Sequence, residues 1–390
     1  MVRANLVVLG SSLTALAVLR NAHKNDVRSL LFDTHDGIAA RSRFAARVLI
    51  LEDAPESELR RRVLELGERG ANHLIATSDR WLRFVVAHRT ALEEAYQSVL
   101  HADNAVLDIC LNKPQLASWC ENHTIPTPRR YPLQYPEDLD SVPVELPVLL
   151  RPAISLPAGT QLPKAIEVRK PEQLRDWLQR YQQEGVPVVV TESLLGHRLT
   201  QYSVGLARDG SRMTSFVARK ARPLPEDCAV GTFVELAPNA EVEAMARNVA
   251  ENLDYFGIAE IEILYCHERC QGYLIEINAR PWIQLALATA SGHDFLEFLL
   301  APQRYDSGRE RKQGMRWLDM GGDFFNCFSR SVGLVRNGRI GLMVYLKSLV
   351  QANVYSKFSL RDPGPFWYDL KSWLVFFWRA NVNGRGMRWR

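Results

Sequence analysis

The chain has 390 residues, of which 47% are hydrophobic and 24% are charged, and its formal net charge at pH 7 is +4. This composition predicts a soluble globular protein, and the length exceeds what one hydrophobic core usually organises, so two or three domains are expected. The small net charge, without a zinc-finger or RNA-binding signature, argues against a nucleic-acid partner, and no apolar run reaches the roughly 20 residues that span a bilayer.

The N-terminal part predicts alternating strands and helices. Leu6 to Leu9 form an apolar run typical of a parallel strand covered on both faces, and a glycine turn, a helix and a second strand follow. The turn GSSLTA lacks the later glycines of the dinucleotide fingerprint, which favours a plain α/β layer over a nucleotide site. A helix over 56–69 and a strand over 73–76 continue the pattern. Asp79 follows this strand. It is expected either to contact a substrate or, as the slightly favoured alternative, to be the N-cap of the next helix.

The N-terminus and the cysteines indicate the compartment. The chain enters its first strand without a basic n-region or a signal cleavage site, so a reducing cytoplasmic location is predicted. The six cysteines are scattered, and Cys266 and Cys270 are spaced C-x3-C. No second pair completes a zinc site, so we interpret these two as turn residues.

The middle of the chain mixes helices and strands. Asn112 is expected to cap a helix with Pro114 just inside it. An amphipathic helix follows over 170–185, with Leu174, Leu178 and Tyr181 at helical spacing. Strands are predicted in LPVLLRPA (146–153), in VPVVVTESLLGH (186–197), and twice in 201–225 around the turn RDGS.

A hairpin over 258–282 carries the strongest chemical signal. It follows a helix over 240–257 that Gly257 is expected to close. Side chains alternate along a strand, so Glu260 and Glu262 share one face of the first strand of the hairpin. By the same rule, Glu276, Asn278 and Arg280 share one face of the second strand. Carboxylate and amide oxygens suit Mg2+. The alternative is an exposed hairpin face with ordinary charges.

These residues resemble a known family, the ATP-grasp ligases of the carboxylate–amine ligase type, and are similar to its D-aspartate ligase-like and carbamoyl-phosphate synthetase-like members. The most specific element is GIAEIEIL…GYLIEINARPW, which is similar to the family's magnesium motif, and the resemblance extends over nearly the whole chain. It implies an α/β fold with α+β lobes, a Rossmann-like pre-ATP-grasp domain and a nucleotide between two lobes. The implied segments are 1–108 (pre-ATP-grasp domain), 109–193 (small lobe), 194–305 (large lobe) and 306–390 (C-terminal extension).

The resemblance also implies a role for individual residues. Glu262, Glu276 and Asn278 would hold Mg2+, with Mn2+ as the alternative ion, and Arg280 would face the transferred phosphate or the acyl phosphate. The remaining residues implied to contact ATP are Lys113, Arg151, Lys164, Glu192 and Leu194. Lys220 and Arg222 would bring positive charge to the phosphates, unless they belong to an exposed basic edge strand.

The chain departs from the family pattern at two points. Arg151 stands where the family has a lysine, and a planar guanidinium does not reproduce the point charge of an ammonium. The loop AISLPAGTQLPK contains one glycine where many family members have a glycine-rich loop. Lys164 is expected to supply charge there instead.

The implied reaction joins a carboxylic acid to an amine through an acyl phosphate, with release of ADP and phosphate. The substrates are expected to be an amino acid and a small-molecule acceptor or, on the evidence of the C-terminal tail alone, a cell-envelope acceptor, and a homodimer is common in the family. Two alternatives stay open. One is a carboxylating or carbamoyl-transferring enzyme of the same family, and the other is a non-catalytic ATP-binding module, for which Arg151 and the glycine-poor loop are the evidence.

The C-terminal tail LKSWLVFFWRANVNGRGMRWR combines bulky apolar residues with four later arginines. Such a pairing can lie in a membrane interface beside anionic lipids, which would place the protein at the inner face of the membrane. A core helix with a basic end is the favoured alternative.

Overall fold

The computed structural model describes residues 6–153, 162–163, 165–224, 230–329 and 333–372. The glycine-poor loop, Lys164 and the tail from 373 onward lie largely or wholly outside these ranges. The chain divides into two units, the first from segments 1–101, 280–324 and 340–390 and the second from 102–279 and 325–339. This division is coarser than the four predicted segments, which stay a prediction. Among the described residues, no helix has the length and apolar character that crossing a membrane requires.

The first unit contains a five-stranded parallel sheet with strand order β3-β2-β1-β4-β5. Its strands are β1 (Leu6–Leu9), β2 (Ser29–Asp33), β3 (Ala45–Ile50), β4 (His73–Ala76) and β5 (Ser98–Val99). Its helices are α1 (Leu13–Lys24), α2 (Glu56–Glu68) and α3 (Asp79–Ala95), with a 3-10 turn at Ile38–Arg41. The alternation predicted from the sequence is confirmed. Strand β3 was not predicted from the sequence: it is an edge strand with no fully buried residue, and only its second half, Val48 to Ile50, is a continuous apolar run.

The remainder of the first unit packs onto this layer through buried aspartates. It contains α8 (Leu285–Ala290), α9 (Phe295–Leu300), β15 (Arg316–Leu318), the start of α10 (Met320–Phe328), α11 (Leu342–Gln351), β16 (Val354–Tyr355) and a helix over 364–372. Asp362 is fully buried and pairs with Arg20 at 3.1 Å, while Asp294 accepts a hydrogen bond from Asn21 at 2.9 Å. Such paired, buried charges fix the register of the C-terminal segment.

The second unit begins with a small four-stranded antiparallel sheet of order β6-β9-β7-β8. Its elements are α4 (Asn104–Leu111), α5 (Lys113–Asn122), β6 (Arg130–Tyr131), a 3-10 turn (Pro136–Asp140), β7 (Val148–Pro152), β8 (Ile166–Val168), α6 (Pro171–Gln183) and β9 (Val188–Glu192). Leu174, Leu178 and Tyr181 of α6 are buried in the core of this sheet, which confirms the predicted amphipathic helix.

The rest of the second unit is an antiparallel sheet in which β14, β13, β10, β11 and β12 are neighbours in that order. The strands are β10 (Leu199–Asp209), β11 (Arg212–Leu224), β12 (Val230–Leu236), β13 (Gly257–Cys266) and β14 (Gln271–Asn278), and α7 (Ala240–Asn252) packs on them. The prediction that Gly257 closes the helix is wrong. The helix ends at Asn252, and Gly257, at φ +104°, is the first residue of β13.

Candidate functional site

Strands β13 and β14 place four polar residues side by side. Glu262 is the register partner of Glu276, and Glu260 is the partner of Asn278. Directly opposed residues of an antiparallel pair share one face of the sheet, so the predicted adjacency of these side chains is confirmed. The register shifts after Glu262, because Ile263 pairs with Leu274. Such a bulge re-aims the flanking side chains locally.

A buried lysine on β11 faces these carboxylates. Lys220 Nζ lies 2.7 Å from Glu262 Oε1 and 4.0 Å from Glu260 Oε1, and only 3% of its side chain is exposed. Burial by itself lowers the pKa of Lys220, but the charges of Glu262, Glu260 and Glu276 outweigh that effect and raise it. The ammonium group therefore stays charged at neutral pH inside an acidic cluster.

Strand β10 supplies two further donors that were not predicted from the sequence. Gln201 Nε2 donates to Glu262 Oε2 at 2.9 Å, and the Ser203 hydroxyl donates to Glu260. Asn278 Nδ2 donates to the second oxygen of Glu260 at 3.0 Å. The available signal was the alternation of Gln201 and Ser203, which places two polar side chains on one face of β10. Glu260 is thereby held as a buried anchor, whereas 39% of the Glu276 side chain is exposed.

Lys113 joins the cluster from the N-terminus of α5. Its Nζ lies 3.8 Å from Glu276 Oε1. The predicted cap fixes the start of this helix, because Asn112 Oδ1 accepts a hydrogen bond from the Gln115 N–H at 3.1 Å. Two predicted site residues that are 163 positions apart along the chain are thus brought together.

Arg222 is buried, like Lys220, on the same strand. Each is 6% exposed, and the guanidinium carbon of Arg222 lies 4.0 Å from the centroid of the Phe233 ring. Strand β11 lies between β10 and β12 in the sheet. The alternative prediction, in which these two residues decorate an exposed edge strand, is therefore wrong.

The segment after β9 contains Glu192 and Leu194, which the sequence predicted to contact adenine through their backbone. The Glu192 carboxylate accepts from the Arg129 N–H at 3.0 Å and pairs with Arg269 at 3.0 Å, so its side chain is committed within the protein. Leu194 is buried, and within the described ranges its N–H has no hydrogen-bond partner. Arg151 lies on β7 opposite Val189, and its side chain is partly buried.

Arg280 belongs to the first unit, where Asp79 is its partner. Arg280 Nε donates to Asp79 Oδ1 at 2.8 Å, and both side chains are less than one-third exposed. The prediction that Asp79 caps a helix is wrong by one residue. Ser78 is the N-cap of α3, since its hydroxyl accepts from the Trp81 N–H, and Asp79 is the first helical residue.

The donor set on β13 and β14 fits a hard divalent cation. Two carboxylates face each other in register and an amide side chain lies beside them, and oxygen donors of this type are the ligands that Mg2+ takes in proteins. Glu260 and Glu262 pair with the buried ammonium of Lys220, and Glu276 pairs with the partly exposed ammonium of Lys113. A divalent cation would further offset the charge of these three carboxylates.

Comparisons with known proteins show a likeness of fold. No protein-family model matches the sequence, and no curated protein sequence matches it. The N5-carboxyaminoimidazole synthetase of Staphylococcus aureus, complexed with ADP, is 12% identical, with 80% of each chain covered and a TM-score of 0.62. The L-amino acid ligase of Bacillus licheniformis is 12% identical, with 77% of this chain and 74% of that chain covered and a TM-score of 0.59.

A third solved structure holds a metal nucleotide. It is the biotin carboxylase domain dimer of the Hydrogenobacter thermophilus 2-oxoglutarate carboxylase, in complex with MgADP, ADP and bicarbonate. It is 13% identical, with 80% of this chain and 72% of that chain covered and a TM-score of 0.59.

Proposed function

This chain has the ATP-grasp fold that its sequence predicted, and from that premise we propose that it is an ATP-dependent carboxylate–amine ligase. One observation carries the proposal. Glu262 and Glu276 are opposed in register on neighbouring strands, with Lys220 Nζ 2.7 Å from Glu262. Two carboxylates opposed on one sheet face repel each other, and a bound divalent cation would offset that repulsion.

The site residues divide by the part of Mg-ATP that each would bind. Glu262, Glu276 and Asn278 would hold Mg2+, or Mn2+ as the alternative ion, which when bound offsets the charge of the phosphates. The Leu194 N–H and the backbone at Glu192 would contact the adenine. The basic residues that would bind phosphate oxygens are Lys113, Arg151, Lys164, Lys220 and Arg222.

The proposed reaction proceeds in two displacements. A carboxylate oxygen of the acid attacks the γ-phosphorus of ATP, the bond to the bridging oxygen breaks, and ADP leaves. The amine nitrogen then attacks the carbonyl carbon of the acyl phosphate, loses a proton, and expels phosphate as the amide forms. Arg280, held by Asp79, would stabilise the negative charge of the acyl phosphate. The protein contributes positioning and charge rather than a covalent nucleophile.

The second candidate is a carboxylating enzyme of the same fold, in which bicarbonate replaces the organic acid. Its support is that one neighbour was crystallised with bicarbonate, whereas the neighbouring L-amino acid ligase supports the leading proposal. The third candidate is a non-catalytic ATP-binding module, which Arg151 and the glycine-poor loop favour and the carboxylate pair disfavours.

We place the protein in the cytoplasm, and a homodimer is the proposed assembly.

The deciding experiment measures phosphate release from Mg-ATP across amino acids, small carboxylic acids and bicarbonate, with hydroxylamine as the trapping amine. Glu276→Gln is measured beside the wild type, and Glu251→Gln, on the exposed face of α7, is the matched control. Acid-dependent release with hydroxamate, lost only in Glu276→Gln, supports the ligase. Bicarbonate-dependent release alone supports the carboxylating enzyme. Tight Mg-ATP binding without release for any acid supports the binding module.

A peripheral membrane contact is a separate part of the proposal. The tail on which it was predicted lies outside the described residues, but α11 exposes large apolar side chains, namely Leu342, Met343, Val344, Leu346 and Val350. In the described part of segment 340–372, the exposed charged residues are Lys347, Arg361 and Lys371, all basic. An exposed apolar helix that carries Lys347, in a segment whose other exposed charges are also basic, suits an anionic lipid surface.

A further inference from the structure

Three metal-ligating side chains meet at the turn between β13 and β14. They are His197, Cys266 and Glu268, and their ligand atoms all lie within 4.8 Å of one another. Cys266 is four residues beyond Glu262 along β13, which is about 13 Å at the rise of a strand. This cluster is therefore separate from the carboxylates that face Lys220.

Contacts with the surrounding protein fix the positions of the residues in this cluster. Cys266 is fully buried and packs with Leu194 and Tyr273. The Glu268 carboxylate accepts from the Arg198 N–H, at 3.0 and 2.9 Å to its two oxygens, and lies 3.7 Å from Cys266 Sγ. The backbone N–H of His197 donates to Leu194 O at 3.0 Å, while its imidazole forms no hydrogen bond or ion pair among the described residues.

The chemistry of this donor set differs from that of a magnesium site. A thiolate, an imidazole and a carboxylate are ligands that Zn2+ takes together, and Mg2+ does not bind thiolate or imidazole readily. With metal–ligand bonds of about 2.0 to 2.3 Å in a tetrahedral site, two ligand atoms are roughly 3.3 to 3.8 Å apart. Cys266 Sγ and the Glu268 carboxylate, 3.7 Å apart, already have this spacing. The ligand nitrogen of His197 lies within 4.8 Å of both, and rotation of the partly exposed ring would bring it to the same spacing.

We propose that His197, Cys266 and Glu268 bind a Zn2+ ion, with water in the fourth position. Binding releases the Cys266 thiol proton to solvent, because the thiolate is the ligand. The ion would link the connector that follows β9 to the turn between β13 and β14. Because none of the three residues belongs to the proposed ATP site, the zinc site stands or falls independently of the ligase activity.

The test uses the full-length chain, stripped of metal with a chelator and titrated with Co2+. A bound thiolate gives a sulfur-to-Co2+ charge-transfer absorption, which a cobalt ion on the carboxylate cluster cannot produce. We expect this band at one equivalent, its loss on adding one equivalent of Zn2+, and no change on adding Mg2+. Absence of the band in the wild-type chain would overturn the proposal.

Variants assign the ligands. Cys266→Ser should abolish the band, and His197→Gln and Glu268→Gln should weaken Co2+ binding at least about tenfold. Cys270→Ser is the matched control, because Cys270 is an exposed thiol in the same turn and should be dispensable. A band that survives in Cys266→Ser, or disappears equally in Cys270→Ser, would refute the assignment. Since Cys266 is buried, His197→Gln and Glu268→Gln, which leave the core unchanged, keep the test valid if Cys266→Ser misfolds.

Discussion

Lys220 Nζ lies 2.7 Å from Glu262 Oε1, with the lysine side chain almost fully buried. This ion pair is the centre of the acidic cluster, since Glu260 and Glu276 also act on the same ammonium. A buried charge pair contributes little net stability, but a buried charge that loses its partner is costly. Lys220 therefore holds the carboxylates in place at the proposed cation site.

We expect Lys220→Met to destabilise the chain by about 3 to 5 kcal/mol, because it leaves buried carboxylates without a counter-charge. Millimolar Mg2+ should restore part of this loss, since the ion takes over the neutralising role. Urea unfolding with and without Mg2+ measures both effects. Arg219→Met is the control, since Arg219 is the neighbouring residue and pairs with Glu235 at the surface, where a loss below about 1 kcal/mol is expected. Equal losses in the two variants would contradict this role of Lys220.

Asp79→Asn should lower turnover about ten- to a hundredfold while leaving Mg-ATP affinity unchanged. Asp79 acts as a positioning residue, because its carboxylate orients the Arg280 guanidinium at 2.8 Å and the neutral amide holds it less firmly. Steady-state kinetics of the trapped hydroxamate give kcat, and calorimetry gives the nucleotide affinity. Glu68→Gln, an exposed change on α2, should behave as the wild type. A weaker affinity with unchanged kcat would show that Asp79 does not act through Arg280.

His293 should make folding sensitive to acid. Burial, with a smaller contribution from Arg311, lowers the pKa of His293 to about 3 from its ordinary value of 6.5. Below pH 6.5 the unfolded chain binds a proton that the folded chain does not, so stability falls as the pH drops from 6.5 toward 3. His293→Gln should flatten this fall in urea midpoints measured between pH 7 and about 4. An unchanged slope would mean that His293 is not the group responsible.

Leu346→Glu combined with Val350→Glu should reduce binding to vesicles containing anionic lipid at least about tenfold, because two apolar side chains no longer enter the interface. Co-sedimentation with anionic and with neutral vesicles measures this. Gln97→Glu with Gln313→Glu adds the same charge at exposed positions elsewhere and should bind as the wild type. If the wild type ignores anionic vesicles but forms a dimer that the α11 variant abolishes, the surface belongs to a second copy of the chain.

Sequence alone determined the local elements of this protein. Strand and helix periods depend on neighbouring residues, so the alternation in β13 and β14, the buried face of α6 and the Asn112 cap could all be predicted. The same reasoning failed where local signals were weak. Gly257 has the residue type of a helix end but starts a strand, and β3 has an apolar run only in its second half, from Val48 to Ile50.

Only the tertiary structure decided which side chains meet. Gln201 and Glu262 are 61 residues apart, and Asp79 and Arg280 are 201 residues apart. No periodicity encodes such pairs, because strand order and register set them once the whole chain has packed. The same holds at the β13–β14 turn, where the C-x3-C spacing indicated nothing more than a turn. The cluster with Cys266 exists because folding brings His197, from the connector after β9, against it.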